Sequence, residues 1–226
     1  MESLPIVIEA ANSLRFILPK EVQPINNILL YIVYNNNYPI PKQLYKYISI
    51  KYGYDIFERL EFIGDSVLEL IVRFELFNQY QLYKVNILSH IKEAIVNNET
   101  LSCLSKKLGI CSNKKALCST KDTSCRYINK LCADQFEALI GAIYLYLSDI
   151  DFPLPIKFIH KWLDSIFDLD LIIEDIISRS KTGTPFSSCV NKRYLEKLPP
   201  PESYRYTTGE ERFSRLEKIE NAEKLI

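Results

Sequence analysis

Three carboxylates share one face of a predicted helix in the first third of the chain. Glu58, Glu61 and Asp65 lie at positions i, i+3 and i+7 of a stretch whose apolar residues recur at helical spacing. Residues at these spacings lie on the same side of a helix. Carboxylates in one row repel each other, and burying any of them without a partner is costly. The stretch therefore predicts a mostly buried helix whose acidic face is met by cations.

A second acidic pair lies in an apolar stretch of the second half of the chain. Asp134 and Glu137 are three residues apart, so they share one face of their own helix. If the two helices pack side by side, this pair converges with Glu61 and Asp65. Four carboxylates form an oxygen-only nest, which suits Mg²⁺ or Mn²⁺ because these hard ions take carboxylate and water ligands.

Small residues favour a close approach of the two helices, although the acids also allow a structural explanation. Gly64, Gly141 and Ala142 lie among the acidic positions and add little bulk. Single acidic pairs are nevertheless common on helix surfaces. The carboxylates could equally be surface charges, or partners of Arg59 and Lys130. The residues of either helix, taken alone, leave both interpretations open.

The order and spacing of three blocks resemble the ribonuclease III family. Glu58–Leu70 is similar to the signature of that family, and Ala133–Leu145 is similar to its second acidic motif. Between them, Ala94–Leu101 resembles the linking segment, especially as found in the eukaryotic, Dicer-like branch. The resemblance extends from Gln23 to Leu169. It implies an all-α endonuclease domain, a helical bundle, of a minimal type with one such domain and no recognisable double-stranded-RNA-binding domain.

The resemblance also implies an activity and the residues that perform it. Family enzymes hydrolyse phosphodiester bonds of double-stranded RNA with Mg²⁺, for which Mn²⁺ can substitute, and leave 5′-phosphate and 3′-hydroxyl ends. Such an enzyme would act in small-RNA production or RNA processing. Four residues match the catalytic, metal-binding carboxylates of the family: Glu61, Asp65, Asp134 and Glu137.

Further positions are implied to contact RNA or a second copy of the chain. Glu58 matches an additional acidic position near the cleavage site, and Asn97 and Lys130 match positions near the RNA. Phe62 occupies the position at which relatives place an aromatic ring into a socket on a twofold partner. A homodimer with two acidic sites along one RNA groove follows from this resemblance. The alternative is that Phe62 fills the core of its own domain.

Two other function classes are compatible with parts of the sequence. The first is a catalytically inactive ribonuclease III fold that binds RNA or serves as a ribosome-associated structural protein. Such proteins usually lack the acidic residues, and here all four are present. The second is an unrelated metal-binding helical bundle. Its usual Glu-x-x-His motif is absent, and His90 and His160 are the only histidines.

Composition predicts an intracellular protein that does not associate with membranes. The chain has 226 residues, of which 47% are hydrophobic and 25% charged, with a formal net charge of zero. No stretch reads as a signal peptide or a membrane span. The six cysteines form no C-x-x-C pair, which argues against a zinc site. Since no secretory signal is found, reduced intracellular thiols are expected. These features do not distinguish the nucleus from the cytoplasm.

Helical periodicity runs through the first 170 residues, and the composition changes after it. Helices are predicted around residues 24–33, 43–54, 58–76, 87–108, 129–147 and 158–167, with a break at Asn97–Asn98, a stop at Gly109 and a loop over 111–127. We expect a catalytic domain over residues 1–178. Residues 179–226 form a charged C-terminal extension with ten basic and seven acidic residues, which either binds RNA or packs on the core.

Overall fold

Across the residues that the structure describes, the protein is all-α, as predicted. The computed structural model describes residues 5–15, 17–34, 53, 55–111 and 123–178. These residues form eight helices: α1 Pro5–Arg15, α2 Asn27–Tyr34, α3 Ile56–Gln79, α4 Val85–Val96, α5 Asn98–Lys107, α6 Thr123–Asp149, α7 Pro155–Phe167 and α8 Leu169–Ser178. Among them, none is long and apolar enough to cross a bilayer.

Helices α3 and α6 form the centre of the fold. They contact each other more extensively than any other two described helices. The expected close approach is confirmed, because Gly64 and Gly141 each face a backbone carbonyl of the opposite helix and no side chain fits at either position. Around this pair, α6 is buried almost completely from Cys132 to Ile143. The two helices that carry the acidic residues are thus also the two that make the core.

The remaining helices are tied to this pair by packing and by specific hydrogen bonds. The Gln135 side chain on α6 donates to the carbonyls of Val33 and Tyr34, both at 3.0 Å, and so anchors the end of α2. The Trp162 indole on α7 donates to the Ile17 carbonyl at 3.1 Å. At the far end of α3, Nε2 of His160 lies 3.1 Å from a Glu75 carboxylate oxygen. These contacts fix α2 and α7 against the central pair.

The predicted break between α4 and α5 is confirmed, and one side chain accounts for it. The Asn97 carboxamide oxygen accepts from the backbone N–H groups of Glu99 and Thr100, which caps α5. Its NH₂ group donates to the carbonyls of Glu93 and Ala94 at the end of α4. After α5 the chain turns at Gly109, whose φ of 73° favours glycine.

Other boundaries differ from the sequence prediction. Helix α6 begins at Thr123 rather than at Asn129, so residues 123–127 are helical where a loop was predicted. No proline or glycine lies between these two positions, and the helix therefore has no reason to start later. Helices α1 and α8 were not predicted. The helix predicted over 43–54 falls mostly outside the described residues, as does the whole of 179–226, so both remain predictions.

The prediction of reduced thiols is wrong for Cys103, Cys111 and Cys132. Cys111, just after α5, and Cys132, on α6, form a disulfide with a Cα–Cα separation of 5.2 Å. Cys103 is also disulfide-bonded. The sequence pattern could not show this, because the two cysteines are 21 residues apart and only the packing of α5 on α6 brings them together. The bond joins the end of α5 to α6 two residues before Asp134.

Candidate metal centre

Three carboxylates from the two central helices converge on one point. Glu61 comes from α3, and Asp134 and Glu137 come from α6. One ligand oxygen from each lies within 4.8 Å of the others. Asp134 and Glu137 are buried at 6% exposure each, and Glu61 is half-buried. This is the only such group of three potential ligands among the described residues, and its donors are all oxygen.

The glycines that bring the helices together lie within one turn of these carboxylates. A Cβ atom added to Gly141 would lie 2.1 Å from the carbonyl oxygen of Leu60, the residue before Glu61. Gly64, one turn after Glu61, faces the backbone of Glu137 in the same way. Because a side chain at either position would push the helices apart, the small residues set the distance across the acidic group.

Glu137 is the carboxylate of this group whose pKa is raised most. Burial is the main cause, and the nearby charges of Asp65, Asp134 and Glu61 add to it, raising the pKa of Glu137 to about 8. Lys130 opposes the shift but does not cancel it. A buried carboxylate whose neighbours are also acidic favours a proton or a cation beside it. Glu137 is therefore the residue that gains most from a bound metal ion.

Lys130 is the cation that meets this group in the structure. Its ammonium lies 2.7 Å from Oδ2 of Asp134 and 3.7 Å from Oε1 of Glu61. The hydrogen bond to Asp134 is the main reason that the pKa of Lys130 is raised. Burial still raises the pKa values of Asp134 and Glu61 despite this lysine. Its side chain is 55% exposed, so Lys130 is held at the mouth of the group and not within it.

Asp65, the fourth predicted carboxylate, does not belong to the group of three. It is exposed on α3, yet its charge is close enough to raise the pKa of Glu137. Burial of its carboxylate and the charge of Glu69 raise the pKa of Asp65, and Lys92 opposes them. The sequence analysis did not single out Glu69 or Lys92, although the four-residue step from Asp65 to Glu69 continues the acidic face.

The residues predicted to contact RNA differ in their surroundings. Glu58 is exposed in the first turn of α3, and its charge raises the pKa of both Glu61 and Asp134. Lys130 lies at the acidic group. Asn97 uses its carboxamide to join α4 to α5, and that local role is sufficient to explain its presence. The predicted RNA contacts of all three remain predictions.

Large apolar side chains are exposed along α3. Phe62 is 76% exposed, so it does not fill the core of its own domain. Leu70, Phe74 and Phe77 are exposed by 48%, 59% and 67% and form a stripe that lies about 60–120° around the helix from Phe62. Of these residues, only Phe62 was predicted to be exposed. Helical spacing could have revealed the stripe, but periodicity by itself does not tell a buried apolar face from an exposed one.

The oxygen-only donor set fits a hard divalent cation. Mg²⁺ is bound by one or two carboxylates together with waters, and Mn²⁺ by similar ligands. Glu61, Asp134 and Glu137 supply three carboxylates, and the charge of Asp65 acts on Glu137 from outside this group. The raised pKa of Glu137 reflects the burial and the excess of negative charge at this point. The arrangement can hold a cation beside a bound phosphate and activate water there.

Comparison with known proteins points to one family. A family model for the ribonuclease III domain matches residues 58–147, which contain all four carboxylates. Similar curated relatives are each named Ribonuclease 3. That of Leptospira interrogans (serovar copenhageni) is 38% identical over 49% of this chain and 44% of the relative. That of Legionella pneumophila (strain Corby) is 31% identical over 49% and 48%, and that of Chlorobium chlorochromatii 36% identical over 39% and 36%.

The matched segment covers less than half of each of these relatives. Their names describe them as ribonucleases, and nothing in the matches distinguishes the eukaryotic, Dicer-like branch, which stays a prediction.

Proposed function

Because residues 58–147 match the ribonuclease III domain, we propose that this chain is a divalent-metal-dependent endoribonuclease of that family, acting on double-stranded RNA. The observation that carries the proposal is the convergence of Glu61, Asp134 and Glu137 within 4.8 Å at the closest approach of α3 and α6. A structural role does not require three carboxylates at one buried point, since such a group costs free energy in the absence of a cation.

Glu61, Asp134 and Glu137 would hold the cation, with Asp65 as the fourth carboxylate. Mg²⁺ is the proposed ion, with Mn²⁺ as a substitute. When bound, such an ion lowers the pKa of a coordinated water and stabilises charge on the leaving oxygen. Hydrolysis by water that breaks the bond to the 3′ oxygen yields 5′-phosphate and 3′-hydroxyl ends, the products proposed here.

The protein's own residues prepare the site for both the ion and the substrate. Glu137, whose pKa is about 8, is mostly protonated at neutral pH and must give up this proton as a cation binds. Before a cation binds, the positive charge of Lys130 offsets the negative charges of Asp134 and Glu61. With a divalent ion offsetting these charges instead, the half-exposed ammonium of Lys130 would be available for an RNA phosphate. Substrate choice then rests on duplex shape and sugar contacts more than on base sequence.

The exposed stripe on α3 supports a homodimer. Phe62, Leu70, Phe74 and Phe77 are too extended a set of exposed apolar side chains for a surface that faces only water. A second copy of the chain is the proposed occupant, because a stripe along one helix can pair with itself about a twofold axis. Phe62 directly follows Glu61, so a dimer that contacts Phe62 would bring two metal centres near one RNA duplex, one for each strand. Action inside the cell remains part of the proposal.

Cleavage of a long RNA duplex tests the proposed function directly. Wild-type protein should cut it in Mg²⁺ and not after EDTA. Asp65→Asn and Glu137→Gln, which keep the side-chain shape and remove one charge, should lose cleavage and retain most duplex binding. Mapping of the product ends should give 5′-phosphate and 3′-hydroxyl groups.

Stability distinguishes loss of catalysis from loss of folding. Without metal, Glu137→Gln should melt no earlier than wild type, because the substitution relieves repulsion at a buried charge. A structural ion pair predicts the opposite, since breaking one costs about 3–5 kcal/mol. Variants that still cut at the wild-type rate would refute the assigned site. Duplex binding without cleavage by the wild type would favour an inactive, RNA-binding member of the family.

A further inference from the structure

Lys92 makes the most buried of the lysine ion pairs near the metal centre. It lies on α4, its side chain is only 15% exposed, and its ammonium is 2.7 Å from Oε1 of Glu69 on α3. Apolar contacts alone could join α4 to α3 at this point. A lysine with a largely buried side chain loses much rotamer entropy and hydration, so its presence here calls for a specific task.

Glu69 extends the acidic face of α3 by one further turn. Glu61, Asp65 and Glu69 follow each other at four-residue steps, at which side chains are neighbours on a helix surface. The charges of Glu69 and Lys92 both act on Asp65, with opposite signs. Glu69 is one turn from Asp65, and a carboxylate without other partners has the chemistry of a further ligand for the same ion. The proposed reaction needs a site with defined ligands, and an additional carboxylate would alter it.

Both carboxylate oxygens of Glu69 already accept a hydrogen bond. Lys92 holds Oε1, and the Arg73 guanidinium donates to Oε2 at 2.9 Å. Arg73 lies on the same helix and its side chain is 55% exposed, which makes it the weaker of the two partners. Lys92 reaches across from another helix and is shielded from solvent, so it is the partner that fixes where this carboxylate lies.

We propose that Lys92 is a positioning residue that holds Glu69 away from the metal centre, and thereby limits the ligands of the ion to the four carboxylates already described. This inference rests on the proposed function. It assigns to a residue outside the acidic group the task of keeping the ligand set correct. Lys92 acts through Glu69 and does not itself touch substrate or metal.

Two simpler roles for Lys92 make different predictions. If it only joins α4 to α3, its removal lowers stability and leaves metal affinity unchanged. If it binds an RNA phosphate, its removal weakens duplex binding and makes that binding less dependent on salt. A positioning role through Glu69 predicts tighter metal binding together with weaker cleavage, both reversed by a second substitution at Glu69. The loss of one positive charge near the site, by itself, predicts tighter binding without the loss of cleavage.

The test is Mn²⁺ binding to the full chain, followed by electron paramagnetic resonance, together with duplex cleavage. Lys92→Met keeps most of the stem and removes the charge. We expect it to bind Mn²⁺ about three- to tenfold more tightly, as removal of one cation near a partly exposed site implies. Cleavage should nevertheless fall at least about tenfold, because the ion gains a wrong ligand. Lys157→Met, which removes an exposed lysine on α7, should behave as wild type.

The double variant Lys92→Met/Glu69→Gln should return both Mn²⁺ affinity and cleavage close to wild type. Unchanged or weaker Mn²⁺ binding by Lys92→Met overturns the inference, as does undiminished cleavage. Failure of Glu69→Gln to reverse the effects also overturns it. A wild-type protein that binds no Mn²⁺ overturns the proposed function as well, whereas a metal-binding wild type with an unaffected Lys92→Met variant removes only the inference about Lys92.

Discussion

A methyl group on Gly64 would lie 1.8 Å from the backbone carbonyl oxygen of Glu137, far inside any contact distance between a carbon and an oxygen. The two residues belong to α3 and α6, and Glu137 is also the most strongly perturbed carboxylate of the metal centre. The contact that sets the packing of α3 on α6 therefore also sets the distance between their carboxylates. The helices cannot separate here without moving the carboxylates apart.

Replacing Gly64 by alanine should lower both stability and metal affinity. In an exposed helix this change stabilises by up to about 1 kcal/mol. Here the backbone of α6 must move, and overpacking of this kind costs about 1–3 kcal/mol. For a chain of this size the melting temperature should fall by about 2–4 °C per kcal/mol. Thermal denaturation and Mn²⁺ titration measure the two effects.

A matched substitution separates the clash from the change in helix propensity. Asn86 is exposed on α4, so Asn86→Ala should leave the melting temperature unchanged or raise it slightly. Gly141→Ala should repeat the effect of Gly64→Ala, because its Cβ meets the Leu60 carbonyl. A Gly64→Ala protein as stable as wild type would show that the helices are not held at this distance.

The metal-free protein should become less stable as the pH rises. Burial first, and then neighbouring acids, raise the pKa of Glu137 from 4.5 to about 8. The folded state therefore holds this proton more tightly than the unfolded chain does. Its contribution is complete below about pH 4.5 and is lost as the pH rises through about 8. Burial raises the pKa values of Glu61, Asp65 and Asp134 in the same direction.

Melting curves in EDTA between about pH 5 and pH 9 test this dependence. The melting temperature should fall across the range, and Glu137→Gln should remove much of the fall above pH 6 or so. Mg²⁺ should oppose the loss, because it binds the ionised carboxylates, and its affinity should rise with pH up to about 8. A wild-type melting temperature that rises over this range in EDTA would contradict the raised pKa of Glu137.

A charge placed in the apolar stripe of α3 should dissociate the proposed dimer. Phe74 is 59% exposed and lies about three and a third turns from Phe62, so the two side chains point about 120° apart around α3. Phe74→Glu or Phe62→Glu would bury a charge at a twofold contact, at a cost of several kcal/mol. Light scattering should give the mass of a dimer for wild type and of a monomer for each variant. Lys161→Glu, on an exposed position of α7, is the control.

A wild-type protein that is a monodisperse monomer at micromolar concentration would remove the dimer from the proposal. It would leave the metal centre unaffected, because Glu61, Asp134 and Glu137 all come from one chain.

Loss of the Cys111–Cys132 disulfide should destabilise the region that carries Asp134. The bond closes a segment with a sequence separation of 21 residues. Loop-closure entropy for a segment of this length corresponds to about 3 kcal/mol. Cys111→Ala/Cys132→Ala should therefore melt several degrees below wild type without any reductant. Because either single substitution already breaks the bond, each should cost nearly as much as the pair.

Peptide mapping under non-reducing conditions is the independent check on this bond. A cross-linked peptide containing both cysteines is expected. Alkylation of Cys111 and Cys132 in the native, unreduced protein would contradict the pairing.

Local patterns in the sequence determined the helices that carry the candidate site and most of the residues of that site. Apolar residues at helical spacing predicted α3, α6 and α7, and the four carboxylates were identified from their steps along α3 and α6. The break at Asn97 and the stop at Gly109 were equally local, since capping and a positive φ depend on neighbouring residues. Such features are readable because they concern residues a few positions apart.

The tertiary structure determined the features that depend on residues far apart in the sequence. It brought three carboxylates together and left Asp65 outside the group, buried Glu137, and exposed Phe62. It also joined Cys111 to Cys132 and set Lys92 against Glu69. Periodicity shows that a helix has an apolar face or an acidic face. Only the packing of helix on helix decides whether that face meets the core, a charge or solvent, because burial and electrostatic free energy depend on distances through space.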